Sequence, residues 1–297
     1  MGRMSDINRA RVGDIELAYE TFGRDEDPPV LLVMGLGAQM HYWPDQFCRA
    51  LTERDLYVVR YDNRDTGLST HLHSAGPVDL QALLVGGGPP APYGVEDLAA
   101  DVAGLIEALG MQSAHLVGMS LGGMIVQLAT IEHPERVRSL VSIASTTGDP
   151  SVGAPKAEVL AALAPPGTTR EEVIEHAVAL SGVIGSPGFE RDEHWLRRRA
   201  GRAFDRSYDP DGVSRQAATA FTAGDRTQRL GTVRVPTLVV HGSADPLVDV
   251  SGGRATAAAI PGAELLVIEG LGHDLPSGVW LRLADAIAAT VRQAENG

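Results

Sequence analysis

The stretch Ala114–Gln127, AHLVGMSLGGMIVQ, decides the fold. It opens as an apolar run, passes through Gly118-Met119-Ser120-Leu121-Gly122 and continues with Leu121, Met124, Ile125 and Leu128 at helical spacing. Gly-x-Ser-x-Gly between a strand and a helix is the signature of a nucleophile elbow. The serine must sit on a sharp turn with its hydroxyl clear of the backbone. The positions two before and two after it then come so close that only glycine fits. The helix that follows points its free N–H groups at the site, where they favour developing negative charge.

Around that stretch lie 297 residues, enough for one large α/β domain with an insertion. Apolar residues make up 44%, so a sizeable core can form. The net charge of −13 argues against nucleic acid, whose affinity comes largely from phosphate neutralisation, and against an anionic membrane surface. Cys48 is the only cysteine, which excludes an intramolecular disulfide and a cysteine-rich metal site. Met1–Arg11 is polar and lacks an apolar signal core, and no run approaches the length of a membrane span. The expectation is a soluble, cytoplasmic protein.

Strands are expected at Ile15–Phe22, Val30–Met34, Leu56–Tyr61, from Ala114 to the close of its apolar run at Val117, and at Val137–Ala144, Pro236–His241 and Glu264–Ile268. Helices are expected at Trp43–Glu53, Val95–Leu109, after Ser120, at Gly253–Ala259 and at Val279–Arg292. His71–Gly94 reads as a long loop, least structured at Gly86–Pro90. From Thr147 to Arg229 the pattern is helical only: Ala157–Leu163, Arg170–Val183, Asp192–Tyr208 and Val213–Ala223. Pro165-Pro166-Gly167 and Ser186-Pro187-Gly188 divide this insertion into pieces able to shift as a lid. Continuous apolar strands alternating with helices mean a mostly parallel sheet covered on both faces, with ligands bound beyond the strands' carboxyl ends. The expected division is a core of 1–146 and 230–297 and a helical cap of 147–229.

A serine hydroxyl needs a base within hydrogen-bond reach, and the base needs an orienting acceptor. Around an elbow of this type the acid and then the histidine follow the serine in the chain. Of nine histidines, only His273 lies in a Gly-flanked loop, Gly270-Leu271-Gly272-His273, after the last strand. Asp245 leaves the Thr237–Val240 strand directly and is the expected acid; Asp149, after the preceding strand, and Asp249 are rivals. The oxyanion donors are expected to be the backbone N–H groups of Leu121 and, from the Gly35-Leu36-Gly37 loop after Val30–Met34, of Leu36. Gly35, His41, Trp195 and Phe221 are the candidates for lining the substrate pocket.

Other features read as structural. Asp62 and Arg64 brace their turn. Arg197-Arg198-Arg199 reads as a solvated helix face, with recognition of an acidic substrate group as the minority reading. His71-Leu72-His73 offers two metal ligands, but spacing indicates no third, so no metal site and no cofactor are expected.

Val33–Gly37, Trp43-Pro44-Asp45, Tyr61–Ser69 (YDNRDTGLS), Gly118–Gly122, Gly242–Asp245 and Gly270–His273 together resemble the α/β-hydrolase superfamily, in the branch of aclacinomycin methylesterase and actinobacterial esterases. The resemblance covers nearly the whole core, and Arg64-Asp65-Thr66-Gly67 is its most specific part. It implies a mostly parallel eight-stranded sheet with helices on both faces and a helical cap insertion. It also implies a Ser120–Asp245–His273 triad with Leu36 and Leu121 as oxyanion donors. Met34 departs from the histidine that many members carry there, which leaves a backbone donor role intact. The implied activity is hydrolysis of a small-molecule carboxylic ester, such as a polyketide methyl ester or a short acyl ester. The alternatives are the same triad acting on a lactone, thioester or carbon–carbon bond or with peroxide, and a non-catalytic ligand-binding homologue.

Overall fold

The structure, a computed structural model, describes residues 7–84, 87, 90–162 and 167–297. Most of the Gly86–Pro90 stretch, and Leu163, Pro165 and Pro166 of the insertion, lie outside the described residues.

An eight-stranded sheet forms the centre: β1 (Asn8–Val12), β2 (Ile15–Phe22), β3 (Pro29–Val33), β4 (Tyr57–Tyr61), β5 (Ala114–Met119), β6 (Val137–Ile143), β7 (Thr237–Gly242) and β8 (Glu264–Ile268). Their spatial order is β1-β2-β4-β3-β5-β6-β7-β8. β1 and β2 pair antiparallel, as do β2 and β4; every pairing from β4 to β8 is parallel. β1 is the strand that the polar N-terminal sequence did not announce. Only Ala10 of its five residues is buried, so it carries almost no apolar signal.

The central strands show why a parallel sheet forms. Val30, Leu31, Leu32 and Val33 are all fully buried, yet they alternate between faces. Leu31 and Val33 pack with α3 (Val95–Ala108) and α4 (Leu121–Glu132). Val30 and Leu32 pack on the other face with α1 (Asp45–Thr52) and α11 (Trp280–Glu295). A strand buried on both sides must be apolar at every position, as observed. The His71–Gly94 segment is less open than its sequence implies, for it holds a turn of 3₁₀ helix at His73–Ala75 and a short α2 (Leu80–Leu84).

Between β6 and β7 the described residues contain helices and no strand: α5 (Ala157–Ala162), α6 (Arg170–Ile184), α7 (Glu193–Arg206), α8 (Pro210–Thr222) and α9 (Thr227–Leu230). Side chains cap three of them at the start: Thr169 on α6, Asp192 on α7 and Asp209 on α8. α10 (Val250–Ala259) then joins β7 to β8. No helix among the described residues is long and apolar enough to cross a membrane.

Candidate active site

Ser120 ends β5 and starts α4 with φ 58° and ψ −121°, one of four described non-glycine residues at positive φ. Such a conformation costs about 1–3 kcal/mol and persists only where its surroundings enforce it. They do so here. Ser120 N–H donates to Ile143 O at 2.9 Å, and its own carbonyl accepts from Gly123 N–H at 2.9 Å and Ser145 Oγ at 2.9 Å. The flanking glycines are required sterically. A Cβ on Gly118 would fall 2.1 Å from Gly122 O, and one on Gly122 would fall 2.2 Å from Val33 O. The turn is therefore packed directly against the exit of β3.

That exit carries Gly35-Leu36-Gly37. A Cβ on Gly35 would lie 3.0 Å from Ser120 Cβ and 3.5 Å from its Oγ, so this backbone borders the hydroxyl. The loop is fixed from several sides. Asn63 Nδ2 donates to Met34 O at 3.0 Å, Gly37 N–H donates to Gln216 Oε1 at 2.8 Å, and Met40 N–H donates to Asp62 Oδ1 at 2.7 Å. Gln216 belongs to the insertion, and neither it nor Asn63 stood out in the sequence. Asn63 could have been found, since it lies inside the Tyr61–Ser69 motif, next to its most specific part; Gln216 had no local signal.

His273 and Asp245 meet beyond the ends of β7 and β8. His273 Nδ1 lies 2.8 Å from Asp245 Oδ2, and both side chains are buried. Asp245 Oδ1 accepts the N–H groups of Leu247 and Val248, each at 2.9 Å, which fixes the carboxylate's rotation. Below it, His241 Nε2 lies 2.8 Å from Val248 O, and burial holds that imidazole below its ordinary range. The two rival carboxylates are engaged elsewhere. Asp149 Oδ1 accepts from Ser151 N–H and Oγ at 2.8 and 2.7 Å, while Asp249 caps α10 through Ser251 N–H. The buried Cys48 thiol is pushed up to about 12 by desolvation and supplies no competing nucleophile.

The insertion grips the histidine loop as well as the β3 exit. His273 N–H donates to Ile184 O at 2.7 Å, Gly272 N–H to Ser186 Oγ at 2.8 Å, and Gly188 N–H to Gly270 O at 2.9 Å. The Ser186-Pro187-Gly188 break, expected as a division between movable pieces, is thus a docking contact. A Cβ on Gly188 would come within 2.8 Å of Gly270 Cα.

His41 and Trp195 share a groove of about 380 Å³ with Pro44, Asp45, Gln46, Arg198, Arg199 and Arg202. Burial, reinforced by Arg202 and Arg206, pushes His41 down to about 3. The Arg197–Arg199 run divides rather than forming one solvated face. Arg197 pairs with Glu175 and Glu193, whereas Arg199 is inserted between the rings of Tyr42 and Trp195, 4.3 and 4.4 Å from their centroids. Phe221 stands 57% exposed on α8 and does not line this groove.

Asp62 and Arg64 are bracing residues. Asp62 Oδ2 accepts Leu68 N–H at 3.0 Å and pairs with Arg206 at 2.8 Å. Arg64 makes a bidentate pair with Asp101, 2.7 Å on each arm. Spacing offered no third ligand for His71 and His73, but the fold brings Asp209 of the insertion to them.

A strained serine at a strand–helix elbow, beside a Gly-rich backbone and a buried Asp–His pair at the ends of parallel strands, defines a class. The profile of the alpha/beta hydrolase fold family matches residues 28–276, and the chain belongs to that family. Rhodomycin D methylesterase of Streptomyces peucetius is 31% identical over 95% of this chain and 96% of its own. 3-Oxoadipate enol-lactonase 2 of Acinetobacter baylyi is 24% identical over 86% of both chains. Among solved structures, the enol-lactonase from Burkholderia xenovorans superposes with a TM-score of 0.71 at 24% identity, covering 98% of this chain and all of its own. By family and relatives, the protein stands among the carboxylic-ester hydrolases.

Proposed function

We propose that this chain is a serine carboxylic-ester hydrolase that works through an acyl-enzyme, and that its substrate is an apolar small-molecule ester, such as the methyl ester of a polyketide-like compound. The observation that carries the reading is Ser120 at φ 58°, a strained conformation that presents its hydroxyl beside Gly35. Asp245 accepts the Nδ1–H of His273, which leaves Nε2 with its lone pair. That nitrogen takes the Ser120 proton as Oγ attacks the ester carbonyl. The N–H groups of Leu36 and Leu121 hold the oxyanion of the tetrahedral intermediate. Its collapse breaks the acyl C–O bond, and the proton on Nε2 leaves with the alcohol. Water, deprotonated by the same nitrogen, then attacks the acyl-enzyme and releases the acid.

The insertion 147–229 acts as a cap that selects the substrate. Its bonds to Gly37, on the loop after β3, and to His273 support this, since both loops belong to the proposed site. Gly35, His41 and Trp195 are the proposed pocket lining. The relatives named as a methylesterase and an enol-lactonase support ester-type chemistry.

The test is labelling with a fluorophosphonate, peptide mapping, and turnover of p-nitrophenyl esters, aromatic methyl esters and lactones. The adduct should sit on Ser120, and Ser120→Ala should lower kcat about 10⁴-fold or more. Turnover with labelling elsewhere would overturn the assignment. Preference for lactones over every open ester would move the substrate class and leave the triad standing.

A further inference from the structure

One cluster lies apart from the proposed triad. His71 and His73 follow β4 and its turn, and Asp209 is the N-cap of α8 in the insertion. Their ligand atoms all lie within 4.8 Å of one another. His71 Nδ1 is 2.6 Å and His73 Nδ1 3.7 Å from Asp209 Oδ2, and the two rings stack at 5.3 Å with 9° between their planes.

The hydrogen bonds around His71 set a problem. Its Nε2 lies 3.0 Å from Gly67 O, and a carbonyl can only accept, so Nε2 carries the hydrogen. In a neutral ring, Nδ1 then presents its lone pair to a carboxylate oxygen 2.6 Å away. Two acceptors that close need a cation between them. A proton would satisfy His71 and Asp209 and leave His73 without a role. A metal ion uses all three.

We propose that His71, His73 and Asp209 bind a divalent transition-metal ion of the zinc class, joining the turn after β4 to the start of α8. Two imidazole nitrogens and one carboxylate oxygen are the donors such an ion prefers, and tetrahedral ligands around zinc stand about 3.3 Å apart. The present separations of 2.6 and 3.7 Å bracket that value, so small side-chain shifts suffice. The Gly67 carbonyl supplies the outer hydrogen bond that orients a ligating histidine. His73 is 73% exposed, which leaves room for water as the fourth ligand. Asp209 Oδ1 is held by Gly212 N–H at 3.0 Å, so Oδ2 is the oxygen turned to the histidines. Arg215 Nη2 also donates to that oxygen at 3.3 Å, while two shorter bonds of 2.8 Å hold its guanidinium against Asp65. Two carboxylates, Asp65 and Asp209, face the single Arg215 cation, so the cluster keeps one net negative charge for the ion.

The test uses the full chain, stripped with a chelator and titrated with zinc chloride at neutral pH by calorimetry, with thermal unfolding in parallel. Saturable binding of one ion per chain and a raised Tm are expected, and cobalt should give the visible bands of a low-coordinate site. His73→Ala and Asp209→Asn should each weaken zinc binding about tenfold or more. His73→Ala alters an exposed side chain, so without zinc its Tm should match the parent's, and the two should part only when zinc is added. The absence of saturable binding, a Tm indifferent to zinc, or equal affinity in the parent and both variants would each overturn the proposal.

Discussion

Asp245→Asn changes a fully buried carboxylate into an amide of the same shape, and the structure dictates how the amide must turn. Oδ1 sits between two backbone donors, Leu247 N–H and Val248 N–H, both at 2.9 Å. An amide nitrogen there would face both donors, so the amide oxygen takes that place and the NH₂ takes the place of Oδ2. It then donates to His273 Nδ1, 2.8 Å away in the parent. The imidazole is forced into the tautomer with hydrogen on Nε2, which cannot accept the proton of Ser120. By analogy with other triads, kcat should fall about 10⁴-fold, close to 5 kcal/mol of transition-state stabilisation. The fold should survive, because every backbone bond to the side chain is kept. The assay is turnover of a p-nitrophenyl ester beside circular dichroism and thermal unfolding. Asp149→Asn and Asp249→Asn serve as controls and should leave turnover near the parent's, since neither carboxylate meets His273. Retention of activity within about tenfold by Asp245→Asn, with the fold intact, would refute the tautomer argument. Loss of activity in Asp149→Asn instead would place the acid after β6.

Further outcomes follow from the packing and the charges. Gly122→Ala should destabilise the fold by about 1–3 kcal/mol or more in denaturant titration, because its Cβ would meet Val33 O at 2.2 Å and backbone must move. Arg215→Met should cost about 3–5 kcal/mol, since it strands the Asp65 carboxylate at full burial; Asp65→Leu in the same chain should recover much of the loss. His41 binds its proton only near pH 3 when folded and near its ordinary 6.5 when unfolded, so the unfolded chain holds more protons between those values. Its contribution to stability is full above that window and is lost as pH falls through it, and His41→Gln should make Tm less steep in pH there, as followed by calorimetry.

What the sequence made legible was what short segments control. Continuous apolar runs reveal strands buried on both faces, and β3 to β8 lie close to where such runs stand. Ser120, Gly118 and Gly122 are legible because one turn imposes the same steric demand on all three. β1 was silent because an edge strand buries one residue in five. The partners that cross from the insertion to the core were silent for another reason. Gln216 bonds Gly37, 179 residues away, and Asp209 meets His71 across 138 residues. No local pattern encodes such a pairing. The Arg197–Arg199 run misleads on its own because burial separates neighbours: one arginine meets two glutamates and another lies between two rings.

The turn after β4 shows how these two kinds of information join. Its motif is local and readable, yet each polar residue in it faces a different part of the molecule. Asp62 holds Met40 N–H and pairs with Arg206 of α7. Asn63 holds the carbonyl at the end of β3, and Arg64 ties α3 through Asp101. Asp65 receives Arg215 of α8, and the Arg64 carbonyl and Thr66 hydroxyl orient Gln216 at 2.7 and 2.6 Å. Gln216 in turn accepts Gly37 N–H beside the proposed oxyanion donor. Three ion pairs balance within one turn, so their mutual desolvation is met locally and no charge is left buried alone. A shift of α7 or α8 therefore reaches the backbone around Ser120 through bonds rather than through loose packing. On this reading, the polar turn is the joint through which the insertion, proposed above to select the substrate, would set the geometry of the chemistry.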